Sequence, residues 1–202
     1  MRIALAPLLN GLPGTSIGEI LVKIHPMRKV ILSAAISIDG YIARPNGDVD
    51  FLIMPEDLSS MAEFFSGLDV ILMGRKTYEV SLKMGGAPPF GGDTYVFSRN
   101  EPSGKRNGVI WTSEPPREFV DALRKNQGKN IFLMGGGELA RAFLGEDLVD
   151  ELHLSIVPSL LGAGIPLFPA GFGQLDLQLV ECKSLPKGLV SLKYAVPARP
   201  LS

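Results

Sequence analysis

Cysteine is nearly absent from the 202-residue chain: Cys182 is the only one, so no intrachain disulfide can form and no paired-cysteine metal or redox motif exists. That scarcity fits a reducing cytoplasm. Histidine is almost as rare, with only His25 and His153. They lie far apart and lack a ligand spacing such as H-E-x-x-H, so a zinc site or a Ser-His-Asp triad has no basis. His153, in "DELHLSIVP", falls at an alternating strand position and reads as structural. Charge of one sign is missing too. Twenty Lys and Arg against 21 Asp and Glu leave a formal net charge of −1, with no basic field to draw a polyanion such as nucleic acid. No apolar run is long enough to cross a bilayer. In residues 1–27 Pro7 and the Gly-Pro punctuation interrupt what a signal peptide would need as a continuous apolar stretch. Those residues read as an N-terminal extension, with the domain proper over 28–197.

What is present is an alternation of strand and helix patterns. "KVILSAAISIDGYIA" (29–43) reads as one strand broken near Asp39-Gly40, and "EDLSSMAEFFSGL" (56–68) as a helix with Leu58, Met61, Phe64 and Phe65 on one face. "DVILMG", "DTYVFS", "GVIWT" and "NIFLMG" are strands; "RKTYEVSLKM", "PREFVDALRKN" and "GELARAFLG" are helices. The tail from Val149 holds strands with no helix between them. This order predicts an α/β sheet, mostly parallel, with an antiparallel C-terminal edge. Trp111, the single tryptophan, ends "GVIWT" and reads as a core or interface residue.

Two stretches share one design. "VILMGRKTYE" and "IFLMGGGELAR" both run from a buried strand through Met-Gly into a helix. Each therefore puts free backbone N–H groups and the positive end of a helix dipole beyond a strand's carboxyl end, where a phosphate is well held. "GGGELA" also matches the G-x-G-x-x-A dinucleotide fingerprint. That fingerprint expects a position after the first strand and an acid closing the next one. Here the motif follows at least five strands, and the next ends in Val157-Pro158. The match is accidental, although a diphosphate between the two turns is not.

Taken in order, "SAAISIDGYIA", "MPEDL", "VILMGRKTYE", "YVFSR" and "IFLMGGGELARAF" resemble the dihydrofolate reductase-like superfamily. "VPSLLGAGIPLF" is most similar to the branch related to the reductase domain of the riboflavin-biosynthesis deaminase-reductase. The resemblance runs from residue 28 to about 196. It implies a three-layer fold around a central mixed sheet, NADPH as cofactor, and a homodimer. Gly74, Arg75, Lys76 and Thr77 would then bind phosphates, Arg75 suiting the 2′-phosphate that separates NADPH from NADH. Ser98 and Arg99 would hold the adenosine portion. Gly135-Gly136 would carry a cis peptide, with Gly136, Gly137 and Glu138 presenting N–H groups to the pyrophosphate. Ala35 and Ile42 would lie against the nicotinamide.

On the substrate side, carboxylates are the candidates for a proton source. Asp57 sits near the position where folate-reducing relatives hold the acid that grips the pterin; it also suits a plain helix start. Asp39 and Asp48 are alternatives in turn-rich surroundings. Lys83, Arg44 and Arg106 are options for a second phosphate. The deaminase's H-x-E and P-C-x-x-C zinc signature is missing. The expected function is an NADPH-dependent reductase of a small pterin- or pyrimidine-type heterocycle, or alternatively a nucleotide-binding sensor with the same fold and no turnover.

Overall fold

The computed structural model describes residues 27–53, 59–85 and 92–197. Residues 1–26 of the expected extension, and Asp57, lie outside the described residues. The elements follow in the order β1 (Val30–Ser37), β2 (Tyr41–Ala43), α1 (Ser59–Ser66), β3 (Leu68–Gly74), α2 (Arg75–Lys83), β4 (Asp93–Phe97), β5 (Gly104–Arg106) and β6 (Val109–Thr112). Then come α3 (Pro116–Arg124), β7 (Asn130–Gly135), α4 (Gly137–Gly145), β8 (Glu151–Val157), β9 (Ile165–Pro166), β10 (Gln178–Ser184) and β11 (Val190–Ala195).

Among the described residues nine strands form one sheet in the order β10-β11-β8-β1-β7-β3-β4-β6-β5, while β2 and β9 pair separately. The run from β8 to β6 is parallel throughout. β11 and β10 close one edge antiparallel, and β5 does so at the other. The expected mostly parallel sheet with an antiparallel C-terminal edge is thus present. β5 was not anticipated, because "GKR" offers no apolar pattern.

The central strands read as unbroken apolar runs because both faces are covered. Val70, Leu72, Ile131 and Leu133 face one layer, against Phe119 and Val120 of α3 and Phe143 and Leu144 of α4. Their neighbours Ile71, Met73 and Phe132 face the other, against Tyr78 of α2, Trp111, and Phe64 and Phe65 of α1. That alternation produces three layers. Trp111 is a core residue, edge-on to Tyr78 with ring centroids 5.4 Å apart. At the amino ends of the strands the buried Arg28 pairs with Asp69 and donates to the Lys129 carbonyl at 2.8 Å, closing the end away from the glycine turns. Among the described residues no helix is long and apolar enough to cross a membrane.

Candidate cofactor and substrate site

The two glycine turns meet because β3 and β7 are adjacent and parallel, with Met73 opposite Gly135. Gly74 precedes α2 and Gly136 precedes α4, both with extended backbone, and neither helix is capped by a side chain of the described residues. Two sets of first-turn N–H groups are therefore left open side by side. The Gly136 N–H donates to the Thr77 hydroxyl at 2.6 Å, joining the corners. The Gly135-Gly136 peptide is cis, as the resemblance implied.

The three glycines of the second corner serve different ends. Gly135 has φ +91°, a conformation that side chains disfavour, and a Cβ there would meet nothing within 4 Å. Gly137 is required by packing, since a Cβ would lie 2.4 Å from the Pro166 carbonyl oxygen. Glu138 turns its side chain outward to Arg141, at 2.7 Å, and can offer only backbone to a ligand in the corner.

Beside these corners the sheet parts. β1 pairs with β7 over Val30–Leu32 but follows β8 as far as Ser37. The resulting cleft is lined by Ala35 and Ile42, by Gly74, Arg75, Lys76 and Thr77, and by Ser98, Arg99, Gly136, Gly137 and Glu138. All the expected cofactor residues except Gly135, which lies next to them in the chain, line this one cleft. Arg75 is not free, for Glu79 lies 3.3 Å and Glu101 3.9 Å from its guanidinium.

The cleft continues under α1, where Phe64, Phe65, Phe132 and Met134 form an apolar wall beside His153 and Ser155. Sequence patterning gave no sign of this role for His153, since a strand face cannot be assigned to a pocket before its neighbours are known. The imidazole lies 2.9 Å from a Glu151 oxygen, with its ring 5.8 Å from Phe64. Burial pushes its pKa below the usual histidine value, against the opposing pull of Glu151, and favours the neutral ring.

The other acids considered as proton sources are committed to structure. Asp39 accepts N–H bonds from Leu161 at 3.1 Å and Gly162 at 2.8 Å, tying the 159–164 loop to the β1–β2 turn. The Ser37 hydroxyl, followed by these amides, holds its pKa below the usual carboxylate value, so it stays ionised at neutral pH. Asp48 closes a turn with Asn46. Arg44 is held by Asp50 through two contacts, 2.6 and 3.2 Å, which removes it as a free phosphate ligand.

A three-layer sheet opening beside two joined glycine corners defines a dihydrofolate reductase-like protein. More particularly, the chain belongs to the RibD C-terminal domain family, whose model matches residues 28–191. It is 34% identical over 170 residues to uncharacterized protein YwjB of Bacillus subtilis (strain 168), covering 83% of this chain and 97% of that one. Dihydrofolate reductase type 6 of Proteus mirabilis is 28% identical over 148 residues, covering 72% and 87%. Among solved structures, a Shewanella sp. PV-4 protein ascribed to riboflavin biosynthesis superposes with a TM-score of 0.75 at 25% identity, covering 84% of this chain and 99% of that one. These relatives support an oxidoreductase of reductase type.

Proposed function

We propose that the protein is an NADPH-dependent reductase that delivers hydride to a small nitrogen heterocycle of pterin or pyrimidine type. The observation that carries this reading is the pair of uncapped helix starts, tied by Thr77 and Gly136 and set against the parted edge of β1. The residues fit such a cofactor: the open space at Gly135 admits a group that a side chain would exclude, and Arg75, Lys76 and Arg99 supply positive charge.

When bound, NADPH supplies the hydride. The chain's own work is to position and to keep dry. Backbone N–H groups of Gly137 and Glu138 and the Gly74–Thr77 turn hold the phosphates, while the Gly136 N–H, taken by the Thr77 hydroxyl, fixes the corner. Ser98 and Arg99 hold the adenosine side, and Ala35 and Ile42 flank the nicotinamide. Phe64, Phe65 and Met134 exclude water around the acceptor ring, so that proximity accounts for much of the rate. Asp57, two residues before α1 in the sequence, is the proposed acid that fixes or protonates the ring through water.

Calorimetric titration with NADPH and with NADH tests the cofactor assignment. Micromolar or tighter binding that favours NADPH is expected; binding of neither overturns it. NADPH oxidation stimulated by dihydrofolate or a ribitylaminopyrimidine then tests the acceptor class. Tight binding without turnover across such a panel favours a sensor.

A further inference from the structure

Arg75 opens α2 at the cleft, with one carboxylate beside it from its own helix and another from a distant loop. Glu79, one turn along, lies 3.3 Å from Nε. Glu101, in the loop after β4, lies 3.9 Å from Nη1 and reaches with its other oxygen to 3.6 Å from Nη2 of Arg106. One carboxylate thus stands between two guanidinium groups. Both separations exceed a hydrogen bond, so Glu101 offsets part of the pair's charge without satisfying either guanidinium.

Arg106 is fixed in this position. Its Nη1 donates to the Pro102 carbonyl at 2.6 Å, and its guanidinium lies over the Trp111 ring at 5.0 Å. Its Nη2 is shielded from solvent yet has no hydrogen-bond partner among the described residues. A buried cationic N–H without an acceptor is costly to maintain and gains when a stronger acceptor arrives. A phosphate monoester carries more charge than a carboxylate and three acceptor oxygens, which suits two guanidinium groups at once.

We propose that Glu101 is an internal anion standing in for the cofactor's 2′-phosphate between Arg75 and Arg106, and that its charge limits the preference that the two arginines give NADPH over NADH. This rests on the cofactor reading above. NADPH displaces Glu101 from the cation pair, whereas NADH, with only a hydroxyl there, leaves it in place. Glu101 therefore keeps the two arginines poised and also competes with the phosphate. Arg106, beyond the cleft lining itself, becomes a second ligand of the 2′-phosphate.

The test is calorimetry on the full chain and its Glu101→Gln and Arg106→Gln variants, with NADPH, NADH, 2′,5′-ADP and ADP, and melting curves to verify folding. Removing the competing charge is expected to tighten NADPH and 2′,5′-ADP about 2- to 5-fold while NADH and ADP hold steady. Arg106→Gln is expected to weaken the two 2′-phosphorylated ligands about tenfold, again sparing the others. If the wild type binds no dinucleotide, the cofactor reading fails and this inference with it. If it binds NADPH and both folded variants keep the wild-type NADPH:NADH ratio, or Glu101→Gln lowers that ratio, the inference alone is overturned.

Discussion

The two strand-helix corners look alike in sequence, yet they are built differently. At the first, Gly74 has ordinary extended backbone, and an added Cβ would sit 3.9 Å from the Gly135 carbonyl oxygen and 4.0 Å from the Leu139 Cβ, normal contacts both. At the second, Gly135 has a positive φ and Gly137 is pressed against Pro166. The first corner keeps a glycine that the fold does not demand. The second needs its glycines before any ligand arrives. A shared Met-Gly turn therefore carries two messages, and only substitution separates the residue kept for packing from the residue kept for approach of a phosphate.

Gly137→Ala is the largest expected break: a methyl 2.4 Å from a backbone oxygen overpacks the corner. It should cost about 3 kcal/mol, seen as a melting temperature lower by roughly 6–12 °C. Equal stability to wild type would show that the β9 segment yields and that the corners are not so different. Gly135→Ala should cost about 1–2 kcal/mol from backbone conformation, together with most of the NADPH affinity measured by calorimetry. Thr77→Val strips the Gly136 N–H of its partner and should destabilise by about 1 kcal/mol in chemical denaturation. Gly74→Ala should stay within about 0.5 kcal/mol of wild type, yet weaken NADPH. Stability and affinity that both survive would reduce Gly74 to a neutral choice.

A pH test bears on the buttress behind the second corner. The pKa of Asp39 is lower in the folded chain than when free, so its hold on Leu161 and Gly162 is present above the ordinary carboxylate pKa. It is lost as pH falls through the lowered value. Hydrogen exchange at those two amides, corrected for intrinsic rates, should show protection fading only below about pH 4. In Asp39→Asn the fade should be absent; protection with the same acid profile in that variant would assign the hold to another group.

The elements with strong periodicity were readable from the chain: the Val- and Ile-rich strands, and helices such as α3, whose Phe119 and Val120 share one face and whose Pro116 opens it. The glycine-corner half of the cleft was readable because such corners are local. The half under α1 was not, since His153, Ser155 and Met134 alternate like any strand residues, and only strand order decides that they face α1. The distant partner of Arg75 was hidden for a similar reason, Glu101 being brought to it, with Arg106 on its other side, by the β4–β6–β5 edge. Gly137 was assigned to phosphate binding, whereas Pro166 shows a packing need that a nearby sequence cannot announce.

β1 is made first among the described strands and sits between β7 and β8, with Lys29 bonded to Asn130 across 101 positions and Val30 to Asp150 across 120. At ribosomal speeds of about 5–20 residues per second, the segment "VILSAAIS" must wait several seconds for either neighbour to be made. During that interval a sticky, strand-prone peptide has both edges bare. The chain's hazard is therefore greatest during its own synthesis: a transcript cut short before β7 leaves β1 with no native neighbour and every foreign strand as a substitute.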